Sequence, residues 1–176
     1  MATIFGSAVS SSGSSIRQST RSFAHARERV TLSTYDGTPG DGDILVFALM
    51  KSSDLLEDIE FWCDGNPTAG TFNIGIYQAV MANQGISLTA IDDDLFASAQ
   101  TAATAIAYDA RVSVFDEAGT LDDVMDRGKT LWALAAIGAA TYTEDPGTLF
   151  ALCATDVQNF DAAAEVGFRV KYVAGD

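Results

Sequence analysis

Hydrophobic residues in this chain recur at intervals of two in several short stretches, the spacing that places them on one face of a β-strand. Phe72, Ile74 and Ile76 share one such face, and Val166, Phe168, Val170 and Tyr172 share another. Strand-like segments run over 43–51 (DILVFALMK), 55–63 (LLEDIEFWC), 71–78 (TFNIGIYQ), 87–91 (SLTAI), 109–115 (DARVSVF), 130–137 (TLWALAAI), 148–154 (TLFALCA) and 165–173 (EVGFRVKYV). Between them stand Asp64-Gly65-Asn66-Pro67, Asn83-Gln84-Gly85, Glu117-Ala118-Gly119 and Glu144-Asp145-Pro146-Gly147, which hold the residues that tight turns require. About eight short strands, with no helix–strand alternation and no repeat period, predict an all-β fold: an antiparallel β-sandwich of jelly-roll type. Helix is minor. Thr120 can cap a turn or two over 120–128, with Asp122 and Asp123 at the positive end, and another helical turn fits within 93–104.

The pattern is absent ahead of residue 35. Residues 7–15 (SAVSSSGSS) are low in complexity, and from Ile16 to Val30 the apolar residues are sparse enough for either a short helix or an edge strand. A run dense in turn residues, Asp36-Gly37-Thr38-Pro39-Gly40-Asp41-Gly42-Asp43, then opens the body. This divides the chain into an extended N-terminal arm over 1–34 and a sandwich domain over 35–176.

Charge sharpens that division. The whole chain carries −14, but residues 1–29 hold Arg17, Arg21, Arg27 and Arg29 against Glu28, or +3, and the remainder holds 6 basic and 23 acidic residues, or −17. An acidic body repels phosphate backbones, so nucleic acid is not an expected partner. No stretch approaches the ~20 apolar residues of a membrane helix, and Met1 to Ser15 lacks the basic and apolar regions of a secretory signal. Cys63 and Cys153 stand far apart in apolar runs, the setting of buried thiols, and no CxxC pair or zinc set can be written. The one histidine, His25, lies in the arm, so the body has no Ser-His-Asp, Cys-His or multi-histidine constellation. Neither a P-loop nor a dinucleotide-binding glycine pattern is present, and no cofactor is expected.

Three groups of side chains could still carry chemistry. Asp92-Asp93-Asp94 offers oxygens suited to Ca²⁺, but successive residues of an extended chain point to opposite sides; a solvated acidic turn capping a helix from Leu95 is the better reading. Glu57, Asp58 and Glu60 could supply the carboxylate pair of a glycoside hydrolase, although nothing singles them out among 24 acids. Trp62, Trp132 and Tyr142 could form a sugar-stacking platform, which would make the chain a carbohydrate-binding or head-fibre-like adhesin module; their apolar neighbours favour core packing instead. In the arm, Arg17, Arg21, Arg27 and Arg29 suit bidentate pairing with carboxylates on a partner, with Ile16 and Phe23 as apolar anchors.

The order of segments in the body resembles that of small structural proteins of tailed-phage virions, the capsid decoration, cement or stabilisation proteins. The likeness is carried by Gly42-Asp43 leading into Leu45-Val46-Phe47-Ala48-Leu49, by Gly70-Thr71-Phe72-Asn73-Ile74-Gly75-Ile76-Tyr77, by Asp92-Asp93-Asp94-Leu95-Phe96-Ala97-Ser98, by Lys129-Thr130-Leu131-Trp132 and by Phe168-Arg169-Val170-Lys171-Tyr172-Val173. It covers roughly residues 41–174 and carries no catalytic residue. It implies a non-enzymatic β-sandwich that is made in the host cytoplasm and coats the capsid exterior. There it would bind the major capsid protein, as homotrimers at or near local three-fold positions, and help the shell withstand internal pressure. The arm, Ile16 to Arg29, would then be the anchor.

Overall fold

The computed structural model describes residues 3–5, 22–23, 26–34, 42–64, 70–82, 85–101, 104–115, 126–139, 147–158 and 165–175. They form two five-stranded sheets. Sheet A has the order β1 (Thr3–Phe5), β4 (Ile44–Lys51), β9 (Leu149–Gln158), β6 (Thr71–Ala82), β7 (Gly85–Thr101). Sheet B has the order β2 (Ser22–Phe23), β3 (Ala26–Thr34), β10 (Glu165–Val173), β5 (Leu55–Cys63), β8 (Val112–Ser113). Among the described residues one α-helix, α1, spans Leu131–Gly138.

The pairings are nested: β6 with β7, β5 with β8, β4 with β9 and β3 with β10, all antiparallel. A single long hairpin, β3 to β6 running out and β7 to β10 running back, is thus rolled so that alternate pairs fall in opposite sheets. That is the jelly roll. Its first strand, β3, covers residues that the sequence pattern assigns to the arm, and it pairs with β10 from Ala26↔Val173 to Thr34↔Glu165.

Between the sheets lies one core. Phe168 of β10 stacks on Phe47 of β4, with ring centroids 4.2 Å apart and 12° between planes. Phe61 packs tilted against it at 5.4 Å and Phe72 edge-on at 6.1 Å, so rings from both sheets meet at one point. The outer face of sheet A is apolar too: Ile44, Val46, Tyr77, Ala79, Ala151 and Cys153 form a second buried cluster. This explains why β4 reads as an almost unbroken apolar run, since a strand buried on both faces has no polar side to alternate with.

Two segments depart from the sequence reading. The strand expected over 130–137 is helix α1. Its Leu131, Leu134 and Ala135 enter the core, and its first turn is tied down by N–H groups of Leu131 and Trp132 donating to the carbonyls of Asp54 and Ser52. The helical turn expected within 93–104 is part of β7 instead. Ile76 pairs with Asp92 but Ile74 with Ala97, so the four residues 93–96 of β7 are set against Gly75 alone of β6. In this bulge Leu95, Phe96 and Ala97 are consecutive and all fully buried. Gly75 makes it possible: a Cβ there would overlap the backbone of Asp92 and Asp93 where β7 crosses. Over 109–115 the expected strand shrinks to β8, preceded by a short 3-10 turn at Tyr108–Ala110. The helix expected over 120–128 falls largely outside the described residues.

Candidate functional site

Candidate functional groups sit on the outside of the roll. On the outer face of sheet B, β5 presents Asp58 and Glu60 beside Arg169 and Lys171 of β10, as the register Glu60↔Arg169 and Asp58↔Lys171 requires. Lys171 Nζ donates to Glu60 Oε1 at 2.5 Å and to Asp58 Oδ2 at 3.3 Å. Arg169 Nη1 donates to Glu60 Oε2 at 3.1 Å, and Arg111 Nε donates to the same oxygen. Arg127 Nη1 and Ser113 Oγ donate to Asp58 Oδ1 at 3.2 and 2.6 Å. Burial alone would push the Glu60 carboxyl up, but the donors on Lys171 and Arg111, with the charge of Arg169, outweigh it and hold the group below its ordinary value. A glycosidase acid needs the opposite, a raised pKa that keeps its proton near neutrality. Asp58 and Glu60 are therefore a charge-paired surface that ties β5, β8 and β10 together, and Glu57 lies at the irregularity in the β5–β10 register.

Trp62 is on the same outer face, but as a packed side chain. Its register partner is Gly167, and a Cβ at that position would overlap Cε2, Cζ2 and Nε1 of the indole, so the ring lies directly over the β10 backbone. Tyr108 meets it edge-on at 5.0 Å, and Arg111 sits 4.8 Å from the Tyr108 centroid. Trp62 keeps only 9% of its surface, whereas Tyr108 keeps 52%. Stacking on a sugar requires an open aromatic face, which Trp62 lacks. Trp132, expected on a strand, is on α1 and packs against the main core; Tyr142 lies outside the described residues.

The carboxylate oxygens of Asp92, Asp93 and Asp94 lie within 4.8 Å of one another. The Asp94 N–H donates to Asp92 Oδ1 at 3.2 Å. Burial, followed by the neighbouring Asp92, pushes the Asp94 carboxyl up. The triplet is held by the bulge over Gly75 and by α1, whose Gly138 has no room for a Cβ beside the Asp92 side chain. The capping role expected for it is not realised, because Leu95 continues β7.

Both thiols are buried, as their setting implied: Cys63 donates to the Thr104 carbonyl at 3.6 Å, and burial pushes the Cys153 thiol well up. Of the arm residues, Ile16, Arg17 and Arg21 lie outside the described residues, as does His25. Phe23 is in β2. Arg27 and Arg29 are in β3, at register positions opposite Tyr172 and Val170.

The edges of the sheets were not visible in the sequence pattern. Among the described residues sheet B ends on strands of two residues, β2 pairing with only Arg27 and Ala26 of β3, and sheet A ends on β1, of three residues, and β7, of 17. A long edge strand offers a neighbouring chain a row of N–H and C=O groups.

No protein-family model matches the chain, and no curated protein matches it. Among solved structures, it is similar to a chain of one described as the capsid of Ralstonia phage GP4. The two share 16% identity and superpose with a TM-score of 0.61 over 99% of each chain, a likeness of fold from end to end.

Proposed function

We propose that this chain is a non-enzymatic virion structural protein that decorates and stabilises a phage capsid shell from outside, with its basic N-terminal segment anchoring it to the major capsid protein. The observation that carries the reading is the fold likeness to a chain of a phage capsid over 99% of both chains. Two further features support it. The carboxylates best placed for chemistry, Asp58 and Glu60, are taken up in ion pairs with Arg127, Arg169 and Lys171. The division of charge, +3 over residues 1–29 and −17 beyond, suits a body that faces solvent and an arm that seeks carboxylates.

Co-sedimentation with capsid shells lacking this chain tests both parts. Ile16, Arg17, Arg21 and Phe23 precede β3, so they can be changed without touching its pairing with β10. The intact chain is expected to pellet with shells. Arg17→Glu with Arg21→Glu, alone or with Ile16→Ser, is expected to leave a folded protein in the supernatant. An intact chain that never pellets overturns the decoration reading; variants that pellet undiminished overturn the anchoring.

A further inference from the structure

The long open edge of sheet A has a geometry that selects its partner. Ala82 and Gly85 close the β6–β7 hairpin across two residues, a connection that lets the closing pair exchange both backbone hydrogen bonds and no other arrangement. Pairing then alternates without a break to Tyr77↔Ala90. Gly85, Ser87 and Thr89 therefore bond to β6, whereas the N–H and C=O groups of Ile86, Leu88 and Ala90 point away from it, along the edge. Among the described residues no strand takes up that edge. The stretch Gly85 to Ile91 has no charge and no proline, the composition that accepts another strand. Ser87, Thr89 and Ala90 are exposed, and at the hairpin end Val80 and Met81 keep 53% and 48% of their surface.

We propose that two copies of this chain join their A sheets edge to edge, β7 of one running antiparallel to β7 of the other about a two-fold axis at Leu88. In that register Leu88 faces Leu88 and Ile86 faces Ala90 of the second copy. All three are residues whose backbone groups point outward, so the contact closes about six hydrogen bonds. Ile86, Leu88 and Ala90 share the face of Met81, Ala79 and Tyr77, so the outer apolar layer of sheet A continues across the junction. Charge selects the direction. Antiparallel pairing puts the two Asp92–Asp94 triplets at opposite ends, roughly 34 Å apart at ~3.4 Å per residue, far beyond the ~8 Å screening length. Parallel pairing would bring six carboxylates within about 5 Å of each other across adjacent strands. The interface is separate from the three-fold association that the family resemblance implies, and it stands without the shell reading.

Sedimentation velocity on the full chain at about 100 μM tests it, and a dimer is expected. Ala90→Pro removes an outward N–H while leaving the β6–β7 ladder intact, and an edge strand accepts proline there. It should weaken the dimer at least about ten-fold, through two lost hydrogen bonds, with the circular dichroism spectrum retained. Ser87 stands opposite Thr89 of the second copy. Ser87→Lys with Thr89→Lys should therefore dissociate the dimer, and Ser87→Lys with Thr89→Glu should restore it. A parent that stays monomeric at this concentration overturns the proposal, as does a dimer or trimer that none of the three variants changes.

Discussion

Gly167→Ala should destabilise the protein, although strand propensity alone says the reverse. In an open strand position, alanine for glycine restricts the unfolded chain and adds a packing group, a gain of about 0.5–1 kcal/mol. Here the added methyl would occupy the space of the Trp62 indole. Either β5 and β10 separate, an overpacking strain of about 1–3 kcal/mol, or the indole swings out. Trp62 retains 9% of its surface, so turning one ring face to water exposes about 100 Å², or about 2.5 kcal/mol at ~25 cal/mol per Å². The net expectation is a loss of about 2 kcal/mol, which for a chain of this size lowers Tm by roughly 4–8 °C. Urea unfolding followed by tryptophan emission measures both consequences, best in a Trp132→Phe background that leaves Trp62 as the sole reporter. The native emission should shift to the red as the ring meets water. A variant as stable as its parent or more so, with unshifted emission, would refute the packing of Trp62 on the β10 backbone.

Three other outcomes follow from contacts in the described residues. Asp54 is buried and its carboxylate accepts N–H groups from Lys51 and Gly175, both at 3.0 Å; Asp54→Ala leaves two donors unmet and should cost about 1–3 kcal/mol in urea unfolding, with Asp54→Asn closer to the parent. Glu60 has its folded pKa held below the ordinary 4.5, so its contribution is present above that pH and is lost as pH falls through the lower folded value. The urea midpoint of the parent should drop as pH falls below the ordinary 4.5, and Glu60→Gln should flatten that drop. Cys153 is fully buried with its thiol pushed up; it should resist thiol reagents in the native protein and react on unfolding, and rapid native labelling would contradict its place beneath the outer face of sheet A.

Six of the eight strand segments read from the sequence, those in β4, β5, β6, β7, β9 and β10, stand where the apolar pattern places them. Each is either strictly alternating, as in Val166 to Tyr172, or buried on both faces and flanked by turn residues, as in β4. The pattern fails where a segment is uniformly apolar and short. Leu131 to Gly138 suits strand and helix equally by composition, and its helical form depends on carbonyls of Ser52 and Asp54, some 80 residues away in sequence. It also fails where register matters: the helical turn expected within 93–104 is a bulged part of β7 that crosses closely over Gly75. The candidate surfaces divide in the same way. The acidic body, the basic N-terminal segment and the buried thiols are legible in one dimension. The pairing of Asp58 and Glu60 with Arg111, Arg127, Arg169 and Lys171 is not, since it joins residues up to 113 positions apart.

By itself, then, the sequence determined the β class, the acidic charge of the body and the residues available to a core, because these depend on composition and on a period of two along the chain. Only the tertiary structure decided which side chains are occupied by neighbours and which edge is left open. Trp62 became a packed ring over a glycine, Glu60 an ionised partner of three cations, and Gly85 to Ile91 a strand edge with no neighbouring strand among the described residues. Burial, pKa and free hydrogen-bonding capacity are set by what lies across the sheet, and nested pairing brings there segments from opposite ends of the chain.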